Sequence, residues 1–143
     1  MKTYLICPVR GHEPKETEDI VKRLEEKGFE VHWPPRDVNQ EDDTGGYRIC
    51  SDHRKAMEDC DCIHIIWNGE SQGCLFDMGM AFMTGKKIHI ISILPLTEGK
   101  SFPNMIARWE KETSKLKDKQ VSTEAEYDMS RIEKLNSFRG VKR

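Results

Sequence analysis

Cys62-Ile63-His64-Ile65-Ile66-Trp67-Asn68-Gly69-Glu70-Ser71-Gln72-Gly73-Cys74-Leu75-Phe76-Asp77-Met78-Gly79-Met80-Ala81-Phe82-Met83-Thr84-Gly85-Lys86-Lys87-Ile88-His89-Ile90-Ile91-Ser92-Ile93-Leu94 decides the fold. Two near-continuous apolar runs, Cys62–Trp67 and Lys87–Leu94, flank a helix-length segment from Ser71 to Thr84 that Gly85 ends. A run that is apolar on both of its alternating sides predicts a strand buried on both faces, as in a parallel sheet. Strand, helix, strand in this order predicts a crossover unit of right-handed sense.

The same alternation extends toward the N-terminus. Tyr4-Leu5-Ile6-Cys7, stopped by Pro8, predicts a buried first strand. Thr17 to Lys27 carries Ile20, Val21 and Leu24 at helical spacing, with Gly28 as its stop. Phe29 to Trp33 alternates and meets Pro34-Pro35, a second strand; Arg36 to Tyr47 is polar and predicts a long loop. Ile49 to Asp59 predicts a second helix, and a further amphipathic helix follows Pro103 with Met105, Ile106 and Trp109. Beyond it, Thr123-x-x-Glu126 has the form of a capping box, and Met129, Ile132, Leu135 and Phe138 recur at every third position. The expected architecture is a doubly wound, Rossmann-like α/β three-layer sandwich with a mainly parallel sheet of four to five strands. It forms one domain over 1–143, with a charged helical C-terminal segment from about 104.

Composition narrows the partners. Only 36% of residues are hydrophobic and 34% are charged, so the core must come from the few apolar runs. A net charge of -2 gives no general attraction to a nucleic acid polymer or an anionic lipid surface, and neither is expected as a partner. No run approaches the roughly 18 apolar residues of a membrane span. No leader peptide is expected, since Met1-Lys2-Thr3 leads straight into a strand. Cys7, Cys50, Cys60, Cys62 and Cys74 are an odd set without CxxC spacing, and predict reduced, mostly buried thiols in a cytoplasmic protein.

The chemistry points to Asp77, the one charged residue between Gly73 and Met83. A carboxylate in an otherwise apolar helix is costly to bury without partners. Gly73, four residues earlier on the same face, leaves space above it, and Ser71 is the natural N-cap. Asp77 is therefore either a site residue or a buried polar group satisfied by a neighbour. Gly79 and Ala81 read as packing residues. His53 lies in the polar stretch Ser51-Asp52-His53-Arg54-Lys55 and reads either as a general acid or as a surface histidine. Arg10, with Gly11 after it and His12 and Arg48 nearby, reads either as an anion clamp or as a surface charge. Asp37, Asp42 and Asp43 fit a solvated acidic loop better than a ribose or cation site. One of Trp33, Tyr47 and Trp67 is a candidate to stack on a base.

Tyr4-Leu5-Ile6-Cys7-Pro8-Val9-Arg10-Gly11, the string Ser71-x-Gly73-x-x-x-Asp77-x-Gly79-x-Ala81, and Gly85-Lys86-Lys87 together resemble the nucleoside 2-deoxyribosyltransferase superfamily, which includes the 2-deoxynucleoside 5′-monophosphate N-glycosidases. The resemblance spans about residues 4 to 94. It implies attack of a helix carboxylate on the anomeric carbon, with departure of the nucleobase and transfer of the sugar to water or another base. On this chain it implies Asp77 as nucleophile, Tyr4 as its orienting partner, and Arg10, Gly11, Ser71 and Gly73 around the substrate. It further implies a small-molecule nucleoside or nucleotide substrate and no metal or organic cofactor, and together with the apolar stripe from Met129 to Phe138 it implies a homodimer or higher homo-oligomer. Two positions depart from the pattern. The family acid is normally glutamate, one methylene longer than Asp77. The aspartate usual eight residues before Asp61 is replaced by His53, beside Asp52. A nucleotide-binding or sensing protein without turnover is the competing expectation.

Overall fold

A computed structural model describes residues 1–9 and 14–117. The elements run β1 (Lys2–Ile6), α1 (Pro14–Glu26), β2 (Glu30–His32), α2 (Pro34–Asp37), α3 (Tyr47–Asp59), β3 (Cys62–Ile66), α4 (Gln72–Thr84), β4 (Lys87–Ser92) and α5 (Phe102–Thr113). The strands form one sheet in the order β2-β1-β3-β4, every neighbouring pair parallel. The chain begins near the centre, steps outward to β2, then crosses back to β3. The winding thus reverses between β1 and β3, where ligands of open α/β sheets bind beyond the carboxyl ends of the strands. This is the doubly wound architecture expected, with four strands among the described residues.

Strand alternation sorts the core into two layers. Tyr4, Ile6, Ile63, Ile65 and Ile88 face one side and pack with Met57 of α3, Cys74, Met78 and Ala81 of α4, and Ile106 and Trp109 of α5. Leu5, Cys7, Val31 and Ile66 belong to the other cluster, with Val21 and Leu24 of α1. Every residue of β3 is buried, as its unbroken apolar run requires. At the outer side of β4, the Ile88 N–H donates to Thr113 Oγ1 at 3.2 Å and the Ile90 N–H to the Glu110 carboxylate. Side chains of α5 therefore satisfy donors that an edge strand would leave open.

Several boundaries differ from the sequence expectation. Helix α1 begins at Pro14, where a missing N–H costs nothing at a helix start. Likewise Pro34 and Pro35 open the short helix α2 instead of only ending a strand. The loop expected over 36–47 shrinks to 38–46, because α2 takes in Arg36 and Asp37 and α3 already starts at Tyr47. That loop is pinned. The Arg48 guanidinium donates to the Asp52 carboxylate at 2.6 Å, to the Glu41 carbonyl at 2.8 Å and to the Asn39 carbonyl. Asp42 accepts from the Thr44 N–H at 2.7 Å and the Ile49 N–H at 3.2 Å. Strand β4 ends at Ser92, two residues before the expected Leu94. Ala81 is a core residue, but Gly79 is not a packing residue: it is exposed, and a Cβ there would meet nothing within 4 Å. The capping box at Thr123 and the stripe from Met129 to Phe138 lie outside the described residues.

Candidate active site

Helix α4 starts at a capped end beside the reversal point. Ser71 accepts the Cys74 N–H on its Oγ at 3.2 Å, and Asn68 Oδ1 accepts the Glu70 and Ser71 N–H groups at 3.0 Å each. Gly69, with φ +81°, lets the chain turn from β3 into this cap. At the other end Gly85 closes the helix in the left-handed conformation. The buried side of α4 carries Cys74, Asp77, Met78 and Ala81, so Asp77 is aimed at the sheet.

There each carboxylate oxygen of Asp77 meets one side chain. The Tyr4 hydroxyl, from the middle of β1, donates to Oδ2 at 3.2 Å. His53 Nδ1, from α3, lies 3.2 Å from Oδ1. A carboxylate only accepts, so this contact assigns the Nδ1 proton to His53 and leaves Nε2 without one in the neutral ring. That Nε2 is buried and has no hydrogen-bond partner among the described residues. The side chains of His53 and Asp77 are 12% and 13% exposed, so the pair is shielded but not sealed. Tyr4 is fully buried, and burial, then the Asp77 charge and hydrogen bond, push its phenol far above its ordinary range. It is consequently a permanent donor to Asp77.

Two further rings complete the cluster. The edge of His53 approaches Tyr4, with centroids 5.9 Å apart, and His32 of β2 stacks on Tyr4 at 5.3 Å and 19°. Sequence reading passed over His32. Strand pairing sets it opposite Tyr4, and the alternation of Phe29–Trp33 already separated it from the buried Val31. A cavity of about 270 Å3 lies beside it, at the edge strand, lined among others by Lys2, Glu30, His32, Arg36 and Asp59.

The remaining candidates are distributed as follows. Gly73 is exposed, and a Cβ there would meet only Ser71 Oγ, at 3.9 Å. Arg10, Gly11 and His12 lie outside the described residues. Arg48 does not join an anion pocket, because its guanidinium is occupied by the loop and by Asp52. Asp37 pairs with Arg36 at 2.9 Å and accepts the Trp33 N–H at 2.8 Å, while Asp42 accepts the Ile49 N–H in the first turn of α3. No three metal-ligating side chains converge among the described residues. Trp67 is buried edge-on against Phe102, whereas Tyr47 is largely exposed. Burial pushes the thiols of Cys7 to about 12 and of Cys60 and Cys74 to about 11, so these are inert packing groups. No helix of the described residues is long and apolar enough to cross a membrane.

With the geometry in place, known proteins supply a class of fold. The 2-deoxyribosyltransferase of Bacillus psychrosaccharolyticus shares it at a TM-score of 0.59 and 17% identity, over 79% of this chain and 90% of that one. The CMP N-glycosidase BcmB of Clostridium botulinum aligns at a TM-score of 0.48 and 27% identity, over 63% of this chain and 70% of that one. The likeness to the deoxyribosyltransferase shows that the fold implied by the sequence resemblance is the fold found. No protein-family model and no curated protein matches the chain.

Proposed function

We propose that the chain cleaves or transfers the N-glycosidic bond of a nucleoside or nucleoside 5′-monophosphate, with Asp77 as nucleophile. One observation carries the reading. A lone carboxylate on an apolar helix, at the reversal point of the sheet, is held by two side-chain donors and by no backbone donor among the described residues, with the exposed Gly73 one turn earlier on the helix. In the proposed reaction one Asp77 oxygen attacks the anomeric carbon, and the C–N bond breaks with its electron pair leaving on the base. His53, entering this step as the imidazolium, gives its Nε2 proton to the departing base while its Nδ1–H stays on Asp77. Water, or the N–H of a second base, then attacks the anomeric carbon, loses its proton to His53 Nε2 and returns Asp77 as a carboxylate. Tyr4 fixes the carboxylate through Oδ2. Ser71, with Arg10 and Gly11 as the resemblance implies, takes the phosphate end.

The shielding of Asp77 and its shorter side chain favour a second reading, a nucleotide-binding protein without turnover. Incubation with deoxynucleosides and their monophosphates, followed by chromatography for free base, separates the two. Release of base that disappears in Asp77→Ala supports the enzyme. Thermal stabilisation by a nucleotide with no base released supports the binder.

The proposal includes self-association. Phe76, Gly79 and Met83 recur along α4 at helical spacing and are all exposed. An outward apolar stripe on the helix that bears Asp77 suits a second copy of the chain.

A further inference from the structure

We propose that His32 is a positioning residue whose imidazole face, stacked on Tyr4, holds the phenol hydroxyl on Asp77; its catalytic consequence, though not its structural one, rests on the reading above. Among the described residues the Tyr4 hydroxyl has a single partner, Asp77 Oδ2 at 3.2 Å, and one such bond does not fix the tilt of a ring. The ring must be held by its faces. On one side His53 meets it at 65°, and this contact belongs to a residue itself bonded to Asp77. His32 supplies a near-parallel surface, with centroids 5.3 Å apart at 19°, inside the range of favourable offset stacking. It comes from the sheet, where pairing of Tyr4 with His32 fixes the backbone beneath both rings.

Two features assign the role to the ring face and not to its nitrogen. His32 Nε2 is buried and has no hydrogen-bond partner among the described residues, so it donates and accepts nothing there. Burial also holds the imidazole below its ordinary range, with His53 and Arg36 pushing the same way against Asp37, which keeps the ring neutral. The cavity of about 270 Å3 lined by His32 supplies the converse argument. Truncating the ring would extend that empty space to Tyr4, which would lose its stacked contacts and gain room to tilt. A hydroxyl displaced by about an ångström can cost a hundredfold in rate.

The test compares His32→Ala with His32→Phe, which keeps a flat ring and discards both nitrogens. The chain holds three tyrosines, Tyr4, Tyr47 and Tyr127, so ring-labelled tyrosine gives resolvable NMR signals without any substrate. Expected are slow Tyr4 ring flips and a protected hydroxyl proton in the native chain and in His32→Phe, and fast flips with loss of that proton in His32→Ala. Where base release is measurable, His32→Ala lowers kcat roughly 10-fold or more at unchanged KM, and His32→Phe stays within about 3-fold. On a Tyr4→Phe background, His32→Ala then has no further effect on kcat. Unchanged Tyr4 signals in His32→Ala overturn the proposal, as does His32→Phe behaving like His32→Ala. A native chain that releases no base sinks the glycosidic reading, while the NMR comparison still decides the role of His32.

Discussion

Asp77 concentrates what single residues can test. Asp77→Ala removes the attacking oxygen, and base release is expected to fall to background in the chromatographic assay. Tyr4→Phe removes one donor but keeps the ring, so kcat is expected to drop roughly 10- to 100-fold with the fold intact by circular dichroism. A different residue sets the acid response of stability. His64 Nδ1 lies 2.6 Å from Thr3 Oγ1, and its ring stacks on His89 at 4.8 Å and meets Phe29 edge-on. Burial, with His89 and Lys27 adding to it, lowers His64 to about 4. Between its unfolded value near 6.5 and that figure, the unfolded chain binds a proton that the folded chain refuses. Stability is therefore expected to fall as pH drops through this window, by on the order of 2–3 kcal/mol. Urea melts at pH 7.5 and pH 4.5 measure the loss, and His64→Gln should flatten it. An equal pH slope in the variant would show that the loss arises elsewhere.

Among the elements, the turn from β3 into α4 is the most constrained. Gly69 combines φ +81° with a would-be Cβ 2.4 Å from Leu94 Cδ1. Gly69→Ala is expected to cost about 1–2 kcal/mol from backbone strain. Because Leu94 can swing away, a Leu94→Ala background should recover only the smaller, steric share, which denaturant melts of the double variant would show. Elements of this kind were legible in the chain where the apolar pattern was long. The runs Cys62–Trp67 and Lys87–Leu94 announced β3 and β4, Ser71 and Gly85 bracketed α4, and Asp77 stood out as the lone charge. Less visible was α2, since Pro34-Pro35 signals a strand's end as readily as a helix's first turn. Nor could local pattern show that Arg48 is spent on loop carbonyls, or that His32 lies against Tyr4. Those depend on strand register and on contacts between residues far apart in the chain, which periodicity does not encode. Tyr4, His53 and Asp77 were each named from sequence, but only the sheet brings them to one point.

For the molecule as a whole, the outward stripe of α4 makes self-association measurable. Light scattering is expected to give the mass of two chains, and Phe76→Glu with Met83→Glu is expected to give one. A native mass of one chain at high concentration would remove the dimer from the proposal without touching the Asp77 cluster. The other side of the sheet has a different consequence. Thr113 and Glu110 occupy the outward donors of β4, and the opposite border, β2, has only three residues before Pro34. Among the described residues, the two occupied donors and the short β2 leave a foreign peptide little ladder to extend, which guards the folded chain against growth into fibrillar stacks. Replacing Glu110 with alanine would reopen one rung of that ladder, and thioflavin-positive aggregates on prolonged incubation would be its sign.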